Sequence, residues 1–545
     1  MLQIRTRFMA ALVLFSFSAG IGNAAQVSKS DRGAQPALPA SSAAITALER
    51  QVPEMMAQAR IPGISMALIR NGRIAWQHGF GVGSAETKTP VGDSTVFEAA
   101  SLSKAVFAYC VLKMVDRGQI DLDVPLSKYL PEPYIPDDRV KLITARIVLS
   151  HTTGFPNWRP RGQALQIHFT PGDRFSYSGE GYMYLQKVVE TIAGKPANDF
   201  MREMVFQPLG MVHSSYIWTE EYDRLSATGH DLLGAATPKG KPAQMRAAAS
   251  LHTTAQDYAR FVLAVMNGTG LAAGTARQML TGQVKLDENC LDCTESKPAH
   301  LSETLSWGLG WGLERIGGTD YFWHWGDNGN FRCFVMASRQ NHAGIVMFTN
   351  SFNGLSIVDH VLNLALGGKH PATSWVKYDQ YDSPAGRLCA ALARDGAERA
   401  IQWYLGERGK SGWPAPAENL VNQLGYAMLQ TKKLDDAVRL FQWNVELFPN
   451  SANVYDSLAE AHAARGEKEL AVRFYRKSLD LNPSNQNARD KLKELEKRGA
   501  VSPNSDFREL NLPELELGDT APLPRKLEFG DTAPLGVSAP LGNPW

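Results

Sequence analysis

The sequence predicts an α+β domain, in which one antiparallel sheet is flanked by helices and carries a helical subdomain, followed by an all-α module of helical repeats. Two patterns predict this arrangement. Strand-like runs lie near both ends of residues 42–370 and enclose a mostly helical middle, which is typical of a single sheet packed with helices. Residues 417–484 match themselves at a shift of 34 residues, which indicates stacked helical hairpins.

The domain is predicted to begin with a helix and a β-hairpin. Apolar residues spaced three and four apart predict an amphipathic helix over 45–59. Two apolar-rich runs, 64–70 and 73–80, flank Asn71-Gly72, a dipeptide typical of a tight hairpin turn. Residues from about 100 to 280 are predicted to be mostly helical, and further strands are predicted over 306–315, 320–324, 331–338 and 344–349.

Composition places the chain among globular proteins and narrows its partners. Apolar residues make up 44% and charged residues 20% of its 545 residues, which excludes a mostly disordered chain. With 56 Lys and Arg against 55 Asp and Glu, the net charge is +1, so the chain lacks the charge of a nucleic-acid-binding protein. No motif in the chain requires a metal or a cofactor.

The N-terminus has the pattern of a secretory signal peptide. Arg5 and Arg7 precede an apolar run over 8–21, and small residues follow at Gly22, Ala24 and Ala25. The run is shorter than an ordinary membrane-spanning helix, although an uncleaved anchor is the alternative. We therefore predict a signal peptide over 1–25, a linker over 26–41, and a periplasmic or secreted bacterial protein without stable membrane insertion after cleavage.

The C-terminal part is predicted to contain connector helices over 371–416 and repeats over 417–498 that resemble tetratricopeptide repeats. The segment 385–407 has the pattern of a degenerate helix pair, and 486–498 that of a final solvated helix. The repeats are either a surface for a protein partner or a structural cap. The Pro-rich tail 499–545 carries a nine-residue motif twice, and we expect it to be disordered or to present a docking motif.

The five cysteines do not form a scaffold. Cys290 and Cys293 lie in a polar stretch, which favours a surface loop with or without a local disulfide over a redox pair or half a zinc site. The other three lie in apolar surroundings and are predicted to be buried small residues: Cys110, Cys333 and Cys389.

The strongest chemical signal is the pattern Ser101-x-x-Lys104. Positions i and i+3 of a helix share a face, so the two side chains are predicted to point into one cleft. A desolvated neutral amine can take the proton of the seryl oxygen. A second copy, Ser374-x-x-Lys377, lacks a long apolar helix after it and is interpreted as chance.

Two later motifs follow Ser101 in order. Tyr177 opens Tyr177-Ser-Gly179, and His324 opens His324-Trp-Gly326. This ordered set, together with connecting phrases such as Leu149-Ser-His-Thr-Thr-Gly154, resembles the serine β-lactamase-like hydrolases: class C β-lactamases, penicillin-recognising DD-peptidases, esterases and D-amino-acid peptidases. The resemblance covers residues 45–365 and implies the β-lactamase-like fold.

The resemblance also implies roles for individual residues. Ser101 matches the nucleophile and Lys104 its activating partner. Tyr177 matches the first residue of the Tyr-x-Asn motif, a tyrosine that passes protons to the leaving group if the local charge lowers its proton affinity. His324 and Gly326 match the ends of the Lys-Thr-Gly motif, and we expect His324 to be a cationic or neutral donor on an edge strand.

Two departures from the family pattern bear on the substrate. Gly179 stands where the family has the Asn of Tyr-x-Asn, which puts efficient β-lactam hydrolysis in doubt. Asp327 is expected to contribute its backbone N–H, with that of Ser101, to the oxyanion hole. Its carboxylate is expected to repel a substrate carboxylate, which disfavours a carboxypeptidase. Substrate-binding residues are thus Gly179, Gly326 and Asp327.

The function predicted from these observations is an exported serine hydrolase that acts through an acyl-enzyme on an ester, an amide or a D-amino-acid peptide. Its partners are a small-molecule or peptide substrate and, through the repeats or the tail, a protein. The alternative is a non-catalytic protein that binds cell-wall peptide or a protein partner. An intact Ser101, Lys104 and Tyr177 argues against that alternative.

Overall fold

The computed structural model describes residues 38–160 and 162–497. The predicted signal peptide, most of the predicted linker and the predicted tail lie outside the described residues. Within these ranges no helix combines the length and the apolar character that a membrane crossing requires.

The domain is built on an eight-stranded antiparallel sheet with the strand order β2-β1-β10-β9-β8-β7-β6-β5, and β3 pairs separately with β4. The strands are β1 Gly63–Arg70, β2 Arg73–Gly81, β3 Phe97–Glu98, β4 His252–Thr253, β5 Val284–Asp287, β6 Leu301–Trp307, β7 Gly312–Ile316, β8 Thr319–Asp327, β9 Arg332–Ser338 and β10 Ala343–Thr349.

The sheet corrects two expectations. Residues 306–315 were expected to form one strand, but a turn over 308–311 separates β6 from β7. The strand that carries His324, β8, is hydrogen-bonded on both sides, to β7 and to β9, so it is an interior strand and not an edge strand. The edges of the sheet are β2 and β5.

Helices cover both faces of the sheet. Met66 and Leu68 of β1 pack with helices α1, α10 and α11, whereas Ala67 and Ile69 pack with α2, α4 and α8, as the alternation of a strand requires. The helices of the domain are α1 Ser41–Ala59, α2 Ser103–Asp116, α3 Ala145–Leu149, α4 Gly179–Ala193, α5 Ala197–Met201, α6 Gln207–Leu209, α7 Glu221–Leu225, α8 Ala255–Asn267, α9 Ala273–Met279, α10 Val358–Leu366 and α11 Pro371–Val376.

Helix α2 is the centre of the domain. Every residue from Ser103 to Met114 is buried, because other elements surround the helix on all sides. This position fixes the residues at its N-terminus against the sheet, which is the part of the fold on which the candidate site depends.

A run of helices follows the domain, in agreement with the predicted helical module. They are α12 Pro384–Asp395, α13 Ala397–Ser411, α14 Glu418–Gln430, α15 Leu434–Leu447, α16 Ala452–Ala464, α17 Lys468–Leu481 and α18 Gln486–Lys497. Leu424 and Phe441 share a core with Leu458 of the next unit. Leu232 of the domain and Leu388 of α12 belong to the same core, so the module is docked on the domain.

The cysteines occupy two kinds of environment. Cys290 and Cys293 form a disulfide in the loop after β5, which decides between the two alternatives left open for that loop. Cys110 and Cys333 are buried, as expected, whereas Cys389 is only half-buried.

Candidate active site

Ser101 lies on a tight 3₁₀ turn, Ala100–Leu102, between β3 and α2. Helix α2 itself begins at Ser103, so Ser101 precedes the helix. Ala100 has a φ of +46°, in the left-handed region that alanine rarely adopts. Such backbone strain persists where the surroundings hold it, and here it leaves Ser101 half-buried between two fully buried neighbours.

Lys104 is the direct partner of Ser101. Its Nζ lies 3.1 Å from Ser101 Oγ and donates a hydrogen bond to the carbonyl of Ala248 at 2.8 Å. The side chain is fully buried. Burial holds the pKa of Lys104 well below its usual range, and the positive charge of Arg246 lowers it further. The amine is therefore suited to be neutral and to accept the seryl proton.

Tyr177 packs beside the Ser101–Lys104 pair. Lys104 Nζ lies 4.8 Å from the centre of its ring, and the imidazole of His151 stacks on it with ring centres 4.3 Å apart. Burial raises the pKa of Tyr177, and Ser101 offsets part of that rise. Tyr177 is therefore a neutral phenol in this state of the protein, and the lowered proton affinity that was the condition for its passing protons is not found here.

His324 on β8 is a neutral side chain. Its Nδ1 lies 2.7 Å from the carbonyl oxygen of Trp325, so Nδ1 carries the proton that it donates there. Burial is the main cause that lowers the pKa of His324 to about 3. Of the two expected forms the cationic one is wrong. The expected donor role is wrong too, because the Nδ1 proton is used by Trp325 and Nε2, which has no hydrogen-bond partner among the described residues, is an acceptor.

Gly326 allows β8 to lie directly against the Ser101 turn. A Cβ atom at this position would stand 2.4 Å from the carbonyl oxygen of Ala99 and 2.4 Å from Cys333 Sγ. These two atoms are themselves in contact, at 3.0 Å. The close approach brings the strand that ends at Asp327 next to the residue before the strained Ala100.

The carboxylate of Asp327 is already occupied. It accepts a hydrogen bond from Tyr378 Oη at 2.6 Å and from the backbone N–H of Gly329 at 2.7 Å, and it pairs with Arg332 Nε at 3.1 Å. The expectation that this carboxylate repels a substrate carboxylate loses its basis, because Arg332 neutralises the charge. The predicted contribution of its backbone N–H is independent of that correction.

Trp158 takes the space that a side chain at Gly179 would need. A Cβ at Gly179 would stand 2.8 Å from Trp158 Cζ2 and 2.9 Å from the carbonyl oxygen of Asn157. The backbone N–H of Gly179 donates to Asn157 Oδ1 at 3.1 Å. The family's Asn is thus replaced by an indole that approaches the same backbone from another loop.

Four residues of this site were not singled out from the sequence: His151, Trp158, Arg246 and Tyr378. His151 lay within a phrase that supported the resemblance, but nothing in that phrase indicated its stacking on Tyr177. The other three are brought to the site only by the tertiary fold.

The second Ser-x-x-Lys copy is not a paired site. Lys377 Nζ donates to the carbonyl of Asn289 at 2.9 Å, and Ser374 lines a separate cavity of about 860 Å³ beside α11. The contacts of Lys377 thus do not pair it with Ser374, and the interpretation of this copy as chance stays a prediction.

Part of the chain is similar in sequence to curated proteins of known name. Protein flp of Staphylococcus aureus strain N315 is 23% identical over 213 residues, which are 36% of this chain and 43% of that protein. Esterase EstB of Burkholderia gladioli is 27% identical over 208 residues, which are 33% of this chain and 53% of that protein. The chain thus spans about half the length of these curated relatives.

Structure and family comparisons agree on the fold. The octameric penicillin-binding protein homologue from Pyrococcus abyssi superimposes with a TM-score of 0.52 at 23% identity, over 60% of this chain and 78% of that chain. The model of the family described as Beta-lactamase matches residues 48–366, close to the 45–365 indicated by the motifs. With more than half of its length matched, the chain belongs to the Beta-lactamase family, whose members are serine hydrolases in general.

Proposed function

We propose that the protein hydrolyses an ester, an amide or a D-amino-acid peptide through an acyl-enzyme on Ser101. The observation that carries the proposal is the fully buried Lys104, whose Nζ lies 3.1 Å from Ser101 Oγ. Among the described residues Lys104 has no acidic partner, so its burial favours the neutral form. A neutral amine at this distance is the base that a serine nucleophile needs.

The first half of the reaction forms the acyl-enzyme. Ser101 Oγ attacks the substrate carbonyl carbon while Lys104 Nζ takes the hydroxyl proton. The backbone N–H groups of Ser101 and Asp327 stabilise the negative oxygen of the tetrahedral intermediate. The intermediate collapses, the bond to the leaving group breaks, and the leaving group takes a proton from Tyr177, which recovers it from protonated Lys104.

The second half returns the free enzyme. A water molecule attacks the acyl carbon, and its proton passes to Lys104. The second tetrahedral intermediate releases the acid, and Ser101 Oγ recovers its proton. We propose that His324, which is neutral and whose buried Nε2 makes no hydrogen bond with the described residues, accepts one from a donor group of the substrate.

The occupied space at Gly179 bears on the substrate class. Trp158 packs against Gly179, where the resemblance implies an Asn side chain. Because that amide is absent, we propose esters or simple amides before β-lactams. The similarity to Esterase EstB supports this order. Export to the periplasm is proposed from the N-terminal sequence, and N-terminal sequencing of the protein recovered from a bacterial host would show cleavage near residue 25 if it is right.

Labelling with a fluorophosphonate tests the nucleophile. The wild-type protein and Ser374→Ala should be labelled and should hydrolyse p-nitrophenyl esters, whereas Ser101→Ala should lose both. Ser374 is a matched control because it has the same local motif without the lysine contact. Retained labelling of Ser101→Ala, or no labelling of the folded wild type, would contradict the proposal and favour a binding protein.

A panel of substrates tests the class. We expect turnover of p-nitrophenyl esters or D-amino-acid amides to exceed that of nitrocefin, a chromogenic β-lactam. Turnover of nitrocefin faster than that of every ester and amide would contradict the order proposed here.

A further inference from the structure

Arg246 is a half-buried cation beside the candidate site. Its guanidinium carbon lies 4.8 Å from the centre of the Trp158 ring. Its charge acts on Lys104 closely enough to lower the pKa of that amine. With the residues that the structure describes, its guanidinium makes the ring contact but no hydrogen bond and no ion pair.

We propose that Arg246 and Trp158 form a subsite for a carboxylate carried by the substrate. This inference rests on the proposed function, because it names the class of ester or amide that the Ser101 site prefers. A guanidinium presents a planar fork of N–H donors that matches both oxygens of a carboxylate. The indole below it holds that plane in place and excludes water from one side.

The other charged groups nearby are already compensated. Glu180, the acid whose charge acts on Arg246, accepts from the backbone N–H of Arg159 at 3.2 Å and pairs with its Nε at 3.4 Å. The carboxylate of Asp327 is paired with Arg332. Arg246 is therefore the cation beside Lys104 that retains capacity for a substrate anion.

The turn that carries Arg246 is also the turn that holds Lys104. The backbone N–H of Arg246 donates to Ser250 Oγ at 2.9 Å, and its carbonyl accepts from Ala249 and Ser250 at 3.0 and 3.1 Å. The carbonyl of Ala248, within this turn, accepts the hydrogen bond of Lys104. A rigid turn thus fixes Arg246 relative to the attacking oxygen, which is what a specificity residue requires.

Trp158 is fixed by a separate contact. Its ring edge lies against Gly179, where the absence of a side chain leaves room for it. Gly179 lies two residues after Tyr177, so the indole lies between the backbone that follows Tyr177 and the guanidinium of Arg246. The glycine in place of the Asn of Tyr-x-Asn therefore makes room for the Trp158 indole, on which the guanidinium of the subsite packs.

The test uses ester pairs that differ in one carboxylate. p-Nitrophenyl hydrogen adipate carries it on the acyl chain, and 3-carboxy-4-nitrophenyl hexanoate carries it on the leaving group; p-nitrophenyl hexanoate is the neutral reference for both. In the wild type we expect a higher kcat/KM for one of the two anionic esters, and that ester identifies the side of the substrate on which the carboxylate lies.

The variants then assign the preference to the subsite. Arg246→Gln should lower the ratio of kcat/KM for that anionic ester to kcat/KM for the neutral one by about tenfold or more, the scale of a hydrogen-bonded charge pair. Arg246→Lys should retain part of the ratio, because it keeps the charge but not the fork. Lys187→Gln removes a cation from the exposed surface of α4 and should leave the ratio unchanged.

Two results would overturn the subsite. The first is a wild type that prefers neither anionic ester; the second is a folded Arg246→Gln variant with the wild-type ratio of kcat/KM for the anionic ester to kcat/KM for the neutral one. If the neutral ester is still hydrolysed in either case, the proposed function stands and only the subsite fails. If no ester is hydrolysed, calorimetric binding to Ser101→Ala still decides. The anionic esters should bind more tightly than the neutral one, and the additional change Arg246→Gln should abolish the difference.

Discussion

Replacement of Gly326 by alanine tests whether the close approach of β8 to the Ser101 turn is required for catalysis. The added methyl group would stand 2.4 Å from the carbonyl oxygen of Ala99. It would also stand 2.4 Å from Cys333 Sγ and 3.1 Å from the Cβ of Ala100. Two of these neighbours are backbone or Cβ atoms, which cannot rotate away as the end of a flexible side chain can.

The size of the displacement follows from these distances. To restore even a 3.0 Å contact with the oxygen of Ala99, the strand and the turn must separate by about 0.6 Å, and ordinary van der Waals contact requires roughly 1 Å. A misplacement of about 1 Å costs on the order of a hundredfold in rate, so we expect kcat/KM to fall by roughly 10- to 100-fold. The stability loss should be about 1–3 kcal/mol, the usual range for overpacking.

The measurement is hydrolysis of a p-nitrophenyl ester by the purified variant, with circular dichroism to confirm that it is folded. Gly92→Ala is the control, because a Cβ at Gly92 meets no atom within 4 Å. It should retain wild-type turnover. A wild-type value of kcat/KM in folded Gly326→Ala would refute the requirement for this close approach, because β8 could then move away from Ser101 without loss of activity.

Three further predictions follow from the same contacts. Tyr378→Phe removes the 2.6 Å hydrogen bond to Asp327 and should lower the free energy of unfolding by about 2 kcal/mol and also lower kcat; an unchanged kcat would show that Tyr378 does not position the strand. Because Lys104 must be neutral to act, and burial lowers its pKa, kcat/KM should fall as the pH drops through that pKa, and a rate that rises on acidification would contradict this role. Burial raises the pKa of Glu98 from 4.5 to about 7, so the folded state binds this proton more tightly and stability falls as the pH rises from 4.5 to 7. Glu98→Gln should therefore be more stable than the wild type by roughly 3 kcal/mol at pH 8 and by much less at pH 5. Equal stability of the two proteins in denaturant unfolding at pH 8 would contradict the raised pKa.

Features set by neighbouring residues could be predicted from the sequence. Asn71 and Gly72 have φ values of +51° and +69°, the two positive angles that a tight hairpin turn needs, and the dipeptide identified that turn. The pairing of Ser101 with Lys104 is also local, because three residues of 3₁₀ or α-helical backbone bring the two side chains to one face.

The boundary between β6 and β7 was not visible for a physical reason. The apolar run continues through the turn because Leu309 and Trp311 are fully buried in the core around α2. Gly310 lies against that helix, where a Cβ would stand 2.4 Å from the Cβ of Ala108. A turn whose residues are buried is as apolar as the strands on either side of it. The hydrophobic pattern alone therefore predicts one continuous strand where the structure has two.

The electrostatic state of the site depends on burial, which no local pattern reports. His324 was compatible with a cationic or a neutral form, and the hydrogen bond to Trp325 and the desolvation of its ring select the neutral one. The charge of Asp327 predicted a site that rejects substrate carboxylates, but Arg332 lies beside Asp327 and neutralises that charge. The two corrections have opposite effects on a substrate anion, because one removes a positive charge from His324 and the other neutralises the negative charge of Asp327. Arg246 is the group that we propose to bind such an anion.

The helical module and the candidate site are physically connected, although the family match ends at residue 366. Tyr378, beyond that limit, donates to Asp327 at the end of β8. Arg332, which pairs with the same carboxylate, lies with its guanidinium carbon 3.8 Å from the ring centre of Phe352, and Phe352 packs against the core that α12 and α13 share with the domain. We therefore expect a displacement of those helices to reach Arg332 through Phe352, and Asp327 at the end of β8 through Arg332. These contacts run from the core shared by α12 and α13 to the residues around Asp327, and they favour a structural cap docked on the domain, one of the two alternatives for the repeats.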